Sequence, residues 1–311
     1  MQPISINYRE HLMKMMSRSK AQLEVGEHNV FQEGNPEILP FIDRIIEDVL
    51  LPDSTILHSE RLVELMAASK AGEPCLLLLE HFSNFDLPVL HYLIRKVVPG
   101  GKDIADAIVA IAGIKLNEAN PVVAAFSEAY TRLVIYPSRA VDSLRQAGHG
   151  DPAALVAELM RSVAVNRRSM RVLGEIKTQG KLILVFPSGT RYRPGVPDLA
   201  KGVREIDSYI KSFSKMCMVS INGSILRLNP AMGEMQEDLL CEDRVILDVH
   251  GPHNCDDFRE KVKHAPDHHL IEDRKQAVAD QIMAELREMH EAVDRDYPPL
   301  ASSAPTASAP A

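Results

Sequence analysis

The spacing of hydrophobic residues along this chain changes once, near residue 72, and the change divides the sequence in two. From about Ile6 to Ala71 apolar positions recur at helical intervals. Phe41, Ile45, Ile46, Val49 and Leu50 form one stripe, and Leu62, Val63 and Met66 form another. Asn35-Pro36 and Pro52-Asp53-Ser54 punctuate this region as helix starts. Residues 1–71 therefore read as a small helical N-terminal domain. After Gly72-Glu73-Pro74 the texture becomes short apolar runs separated by helical stretches. Strands are expected at Cys75 to Leu79, Ala107 to Ile111, Leu133 to Tyr136, Leu182 to Phe186, Met216 to Ile221 and Val245 to His250. Helices are expected at Leu87 to Val98, Ala153 to Val163 and Ser169 to Thr178. This alternation predicts an α/β fold for residues 72–298, a mixed β-sheet flanked by helices. A long closing helix is expected from His268 to Arg295, with Ile271, Val278, Ile282, Leu286 and Met289 turned toward the body. The last stretch, Ser302 to Ala311, carries no large apolar group, so residues 299–311 read as a disordered tail.

Composition narrows the classes of function. With 311 residues, 45% of them hydrophobic, the chain can bury a sizeable core. A net charge of -8 argues against non-specific nucleic-acid binding but leaves room for a local basic pocket. Cys75, Cys217, Cys241 and Cys255 lie far apart without CxxC spacing, which points to neither a zinc site nor a disulfide framework and fits a reducing cytoplasm. No run approaches the roughly 18 apolar residues of a membrane span, since Leu76 to Leu79 stops at Glu80 and His81. The N-terminal residues lack a basic start followed by an apolar run, so no secretory signal is read. A peripheral membrane contact through a helix stays open.

Two strand-to-loop transitions carry the candidate chemistry. In Glu80-His81-Phe-Ser83-Asn-Phe-Asp86 a histidine precedes an aspartate by five residues. A carboxylate so placed can hold an imidazole in one tautomer while its other nitrogen removes a hydroxyl proton. About a hundred residues on, Phe186-Pro-Ser188-Gly189-Thr190-Arg191-Tyr-Arg193-Pro194 follows an apolar run, and its two arginines suit forked recognition of a phosphate. The bland readings are a satisfied turn histidine and a solvated Pro-Ser-Gly turn. His268-His269 with Glu272 and Asp273 suggests metal binding, but a solvated helix start is the simpler reading. Ser138 and Ser188 have no histidine at nucleophile-elbow spacing, which speaks against a serine hydrolase.

Taken together these blocks resemble the glycerolipid acyltransferase superfamily, over roughly Ala71 to Gly251. Glu80-His81-x-Ser83-x-x-Asp86-x-x-x-Leu90 is similar to its first block, with Glu80 where asparagine is usual. The Pro-Ser-Gly-Thr-Arg-x-Arg-Pro form of the third block, preceded by Asn166-Arg-Arg-Ser169, is most similar to the soluble plastid-type glycerol-3-phosphate acyltransferases. Ile114-Lys115-Leu116, Pro121, Phe126 and Tyr136-Pro-Ser-Arg139 follow the superfamily's layout between them. The proline of the fourth block is missing from Met216 to Gly223. The resemblance implies His81 as base, Asp86 as its support and Arg139, Arg191 and Arg193 as phosphate ligands. Lys115 and the backbone around Ser188, Gly189 and Thr190 are implied as further substrate contacts. The implied reaction moves an acyl group from acyl carrier protein or coenzyme A to the sn-1 hydroxyl of glycerol 3-phosphate. It needs no metal and no cofactor beyond that cosubstrate. The alternatives are acylation of lysophosphatidate at its second hydroxyl and a non-catalytic lipid- or carrier-protein-binding module.

Overall fold

The structure, a computed structural model, describes residues 2–118, 120–141, 152–193, 201–229, 238–264 and 273–300. The expected tail lies almost wholly outside these residues, as do His268, His269 and Glu272 and the start of the predicted closing helix.

Eleven strands fall in chain order: β1 (Gln2–Pro3), β2 (Phe31–Gln32), β3 (Thr55–Leu57), β4 (Cys75–Leu79), β5 (Ile108–Gly113), β6 (Arg132–Ile135), β7 (Leu182–Val185), β8 (Lys215–Asn222), β9 (Leu226–Arg227), β10 (Leu239–Leu240) and β11 (Ile246–Asn254). Eight of them form one mixed sheet in the order β2-β6-β5-β7-β4-β8-β11-β3; β1, β10 and β9 make a small antiparallel sheet. The fold is α/β, as the alternation of apolar runs predicts. β4 through β8 run parallel to one another, while β11 returns antiparallel to β8.

The reason the central strands read as unbroken apolar runs is that both faces of the sheet are covered. All five residues of β4 and all four of β7 are buried. Cys75, Leu77 and Leu79 enter one core, shared with Ile42, Ile45, Ile46 and Leu62 of the N-terminal helices Leu39–Val49 and Glu60–Lys70. Leu76 and Leu78 enter the other, shared with Val172 and Leu173 of the helix Pro152–Ile176 and Ile282 and Leu286 of the closing helix Arg274–Asp296.

Two details differ from the sequence reading. The segment before residue 72 contains helices but also supplies β2 to one edge of the sheet, beside β6, and β3 to the other, beside β11. Strands of two or three residues are too short to show a period of two. The stretch from Ala153 to Thr178 forms one helix, Pro152–Ile176, and not two. The polar residues at its middle contain no glycine or proline to break it, and Asn166 instead bonds the backbone N–H and carbonyl of Tyr136 at 2.8 and 2.9 Å.

Candidate active site

Because β4, β5, β6 and β7 are adjacent and parallel, the segments that leave their C-terminal ends emerge along one edge of the sheet. In open α/β sheets that edge is where ligands bind. His81 and Asp86 follow β4, Lys115 follows β5, Arg139 follows β6, and Ser188 to Arg193 follow β7. Residues more than a hundred positions apart in sequence thus share a rim. Adjacent strands lie about 4.8 Å apart, so β6 stands roughly 14 Å from β4 along it.

The loop after β4 is organised around one carboxylate. Asp86, 4% exposed, opens the helix Asp86–Val97. Its Oδ2 accepts the backbone N–H of Phe82 at 2.7 Å and of Ser83 at 2.8 Å, and lies 2.9 Å from His81 Nδ1. Its Oδ1 accepts the Ser83 hydroxyl at 2.8 Å. Three donors besides the imidazole fix the direction of the carboxylate. With Nδ1 committed to Asp86, Nε2 is the His81 nitrogen left to accept a proton. The imidazole also stacks on Phe186, with centroids 4.0 Å apart and planes inclined by 21°, so the residue that ends the β7 run sets the tilt of the His81 ring.

The loop after β7 turns through Gly189, whose φ of 65° disfavours a side chain and where an added Cβ would lie 2.9 Å from Val203 Cγ1. Gly189 donates its N–H to the Phe186 carbonyl at 2.9 Å, and the buried Ser188 hydroxyl donates to the Thr190 carbonyl at 2.7 Å. Both groups therefore build the turn. The backbone N–H groups of Ser188 and Thr190 have no partner among the described residues and are the donors this turn leaves open to a ligand. Tyr192 donates its N–H to the His81 carbonyl at 2.9 Å, which ties the two loops together by their backbones.

The basic residues differ in setting. Arg191 is 14% exposed in its side chain, and its Nη1 sits 2.6 Å from Asp238 Oδ2, an almost fully buried carboxylate that Asn84 also approaches at 3.4 Å. Asp238 orients the guanidinium and offsets part of its charge, leaving its other N–H donors for a ligand. Arg193 and Lys115 are exposed, and Arg139 is half-buried.

Glu80, which stands where the resembled block has asparagine, points away from the rim. Its Oε2 accepts the Ile221 N–H at 2.8 Å and lies 3.0 Å from His290 Nδ1 on the closing helix. Burial pushes Glu80 above the ordinary carboxylate range, against the pull of His290. Burial would lower His290, but its bond to Glu80 and the nearby Asp294 and Glu291 carboxylates hold it above its usual value. His290 packs edge-on against Phe82 at 5.4 Å, so this pair braces the loop that carries His81 from behind. Sequence reasoning did not find His290, Asp238 or the Phe186 stack. All three contacts join residues far apart in the chain, and only the unusual Glu80 hinted at one of them.

None of the four thiols is activated. Burial pushes the Cys75 and Cys255 thiols up to about 12 and raises Cys217 and Cys241 as well, so they stay protonated at neutral pH. No helix among the described residues is long and apolar enough to cross a membrane. Searches of known protein families and of curated proteins found no match to this chain.

Proposed function

We propose that this chain is a glycerol-3-phosphate acyltransferase related to the glycerolipid acyltransferase superfamily. The observation that carries the reading is His81 held on Asp86 at 2.9 Å, with its carbonyl bonded to the arginine-bearing loop. His81 Nε2 takes the proton of the sn-1 hydroxyl as that oxygen attacks the carbonyl carbon of a fatty acyl thioester. The C–S bond breaks, and the imidazolium returns its proton to the leaving thiolate of acyl carrier protein or coenzyme A. Asp86 stabilises the imidazolium formed in between. Arg193, Arg191 and Arg139 bind the phosphate, which turns a chance encounter into an oriented one. The backbone N–H groups of Ser188 and Thr190 receive the developing oxyanion. No acyl-enzyme is needed.

A second reading, acylation of lysophosphatidate at its second hydroxyl, draws on one feature. The helix Pro152–Ile176 exposes Val156, Met160, Val163 and Met170 at helical spacing, with Arg167 and Arg171 exposed along the same side. Such a stripe suits contact with an anionic lipid surface. The deciding experiment incubates purified protein in detergent-free buffer with glycerol 3-phosphate or lysophosphatidate and each acyl donor. Formation of 1-acylglycerol 3-phosphate supports the first reading. Formation of the diacyl product alone, dependent on micelles or vesicles, establishes the second, and the absence of any transfer removes both.

A further inference from the structure

A second histidine–aspartate cluster lies at the other end of the sheet. Asp248 on β11 is 4% exposed, and both of its oxygens face imidazoles. His58 Nδ1 lies 2.6 Å from Oδ1, and His250 Nε2 lies 3.1 Å from Oδ2. The two rings stand 6.0 Å apart and are about half exposed, with 57% and 47% of their side-chain surfaces open to solvent. One donor atom from each of the three residues falls within 4.8 Å of the others. His58 follows β3, whose Leu57 is in register with Asp248, and it is the one described non-glycine residue with positive φ, at 52°. That conformation costs an ordinary side chain energy and is retained here by a residue whose ring meets the carboxylate.

We infer that His58, Asp248 and His250 form a divalent transition-metal site, of the zinc or cobalt class, that clips the edge strand β3 to β11. Two imidazoles and one carboxylate are the donor set such borderline ions take, with the remaining positions open to water on the exposed side. Ion–ligand bonds of about 2.0–2.2 Å require donor atoms about 3.3 Å apart, which small turns of the half-exposed rings supply. Each neutral imidazole moves its proton to its outer nitrogen, and the ion replaces the two N–H groups that meet Asp248. The shell behind the carboxylate is prepared for this. Ser220 on β8 is directly opposite Asp248, fully buried, and its hydroxyl has no hydrogen-bond partner among the described residues. Directly opposed side chains start about 5 Å apart, so that hydroxyl can support the Asp248 oxygen released when the rings turn to the ion. Because His58 and Asp248 are 190 residues apart, the ion would cross-link a very long loop and restrain the N-terminal segment against the sheet. The site lies two strands from β4, about 10 Å along the sheet, and shares no residue with the rim that carries His81.

The test is a titration of the full chain with Zn²⁺, and with Co²⁺ for its visible spectrum, after chelator treatment and dialysis. One ion should bind per chain, and the thermal midpoint should rise with added metal. His58→Ala and His250→Ala should each weaken binding about tenfold or more and abolish that rise, while His81→Ala keeps both. Both substituted rings are about half exposed, so the folds should survive, and circular dichroism checks this. Failure of the wild-type chain to take up one ion at micromolar metal, or equal binding by the His58→Ala, His250→Ala double variant, would overturn the site.

Discussion

Among the described residues two clusters set an imidazole on a nearly buried aspartate, and they differ in what else each carboxylate holds. Asp86 meets one histidine, two backbone N–H groups and a serine hydroxyl, all from residues within five positions of it. It is saturated, and in the proposed reaction its task is to orient the single imidazole. Asp248 meets two histidines, one of them 190 residues away, and no backbone N–H of the described residues donates to its carboxylate. A carboxylate satisfied only by exchangeable imidazoles can trade them for an ion; one satisfied by its own loop cannot. The rings differ too: the His81 side chain is 17% exposed and stacked on Phe186, whereas His58 is mostly open to water. The residue types are therefore silent about role until the remaining hydrogen bonds are counted.

The sharpest way to break this comparison is to remove each histidine in turn. His81→Ala should lower transfer by about a hundred- to ten-thousand-fold while the fold, checked by circular dichroism, is retained. His58→Ala should leave turnover at the wild-type level in metal-free buffer. Equal losses from the two, measured as steady-state kcat, would show that the saturated carboxylate does not mark the base.

The arginines test the same idea with a cation in place of the imidazole. Arg191→Ala leaves Asp238 buried without its ion-pair partner, so it should cost about 3 kcal/mol of stability as well as raising the KM for glycerol 3-phosphate. The exposed Arg193→Ala should raise that KM with stability unchanged, and neither substitution should alter the KM for the thioester. Denaturant melts combined with two-substrate kinetics separate the effects, and an equal rise in the thioester KM would count against phosphate binding.

His91 supplies a third case, a buried histidine with no carboxylate contact. Its Nδ1 accepts from Arg95 Nε at 3.2 Å, and burial, with the Arg95 charge, lowers it from 6.5 to about 4. Between pH 6.5 and about 4 the folded chain thus keeps this ring neutral while the unfolded chain protonates it. Its contribution should be intact above pH 6.5 and decline as the pH falls from 6.5 to about 4, by at most about 3 kcal/mol. A His91→Gln chain should show a flatter stability profile across that window in urea melts. An identical slope would assign the acid sensitivity elsewhere.

The smallest effect expected is at the turn that carries the arginines. Gly189→Ala should cost about 1–2 kcal/mol, because φ is positive and Val203 stands 2.9 Å from the added carbon. It should also reduce turnover through displacement of Ser188 and Thr190. Unchanged melting and turnover together would show that the turn tolerates another path.

Local order along the chain was enough to determine the α/β class and the positions of the central strands, because β4 and β7 are buried on both faces and their apolar runs have no other explanation. It also determined the His81–Asp86 contact, whose partners lie five residues apart and are joined by a loop they build themselves. Short strands such as β2 and β3, the continuity of Pro152–Ile176, the Arg191–Asp238 pair, the Glu80–His290 brace and the His58–Asp248–His250 cluster were decided by the tertiary structure alone. Each depends on segments brought together by sheet order and register, and no periodicity or motif within one segment records which distant strand will lie beside it.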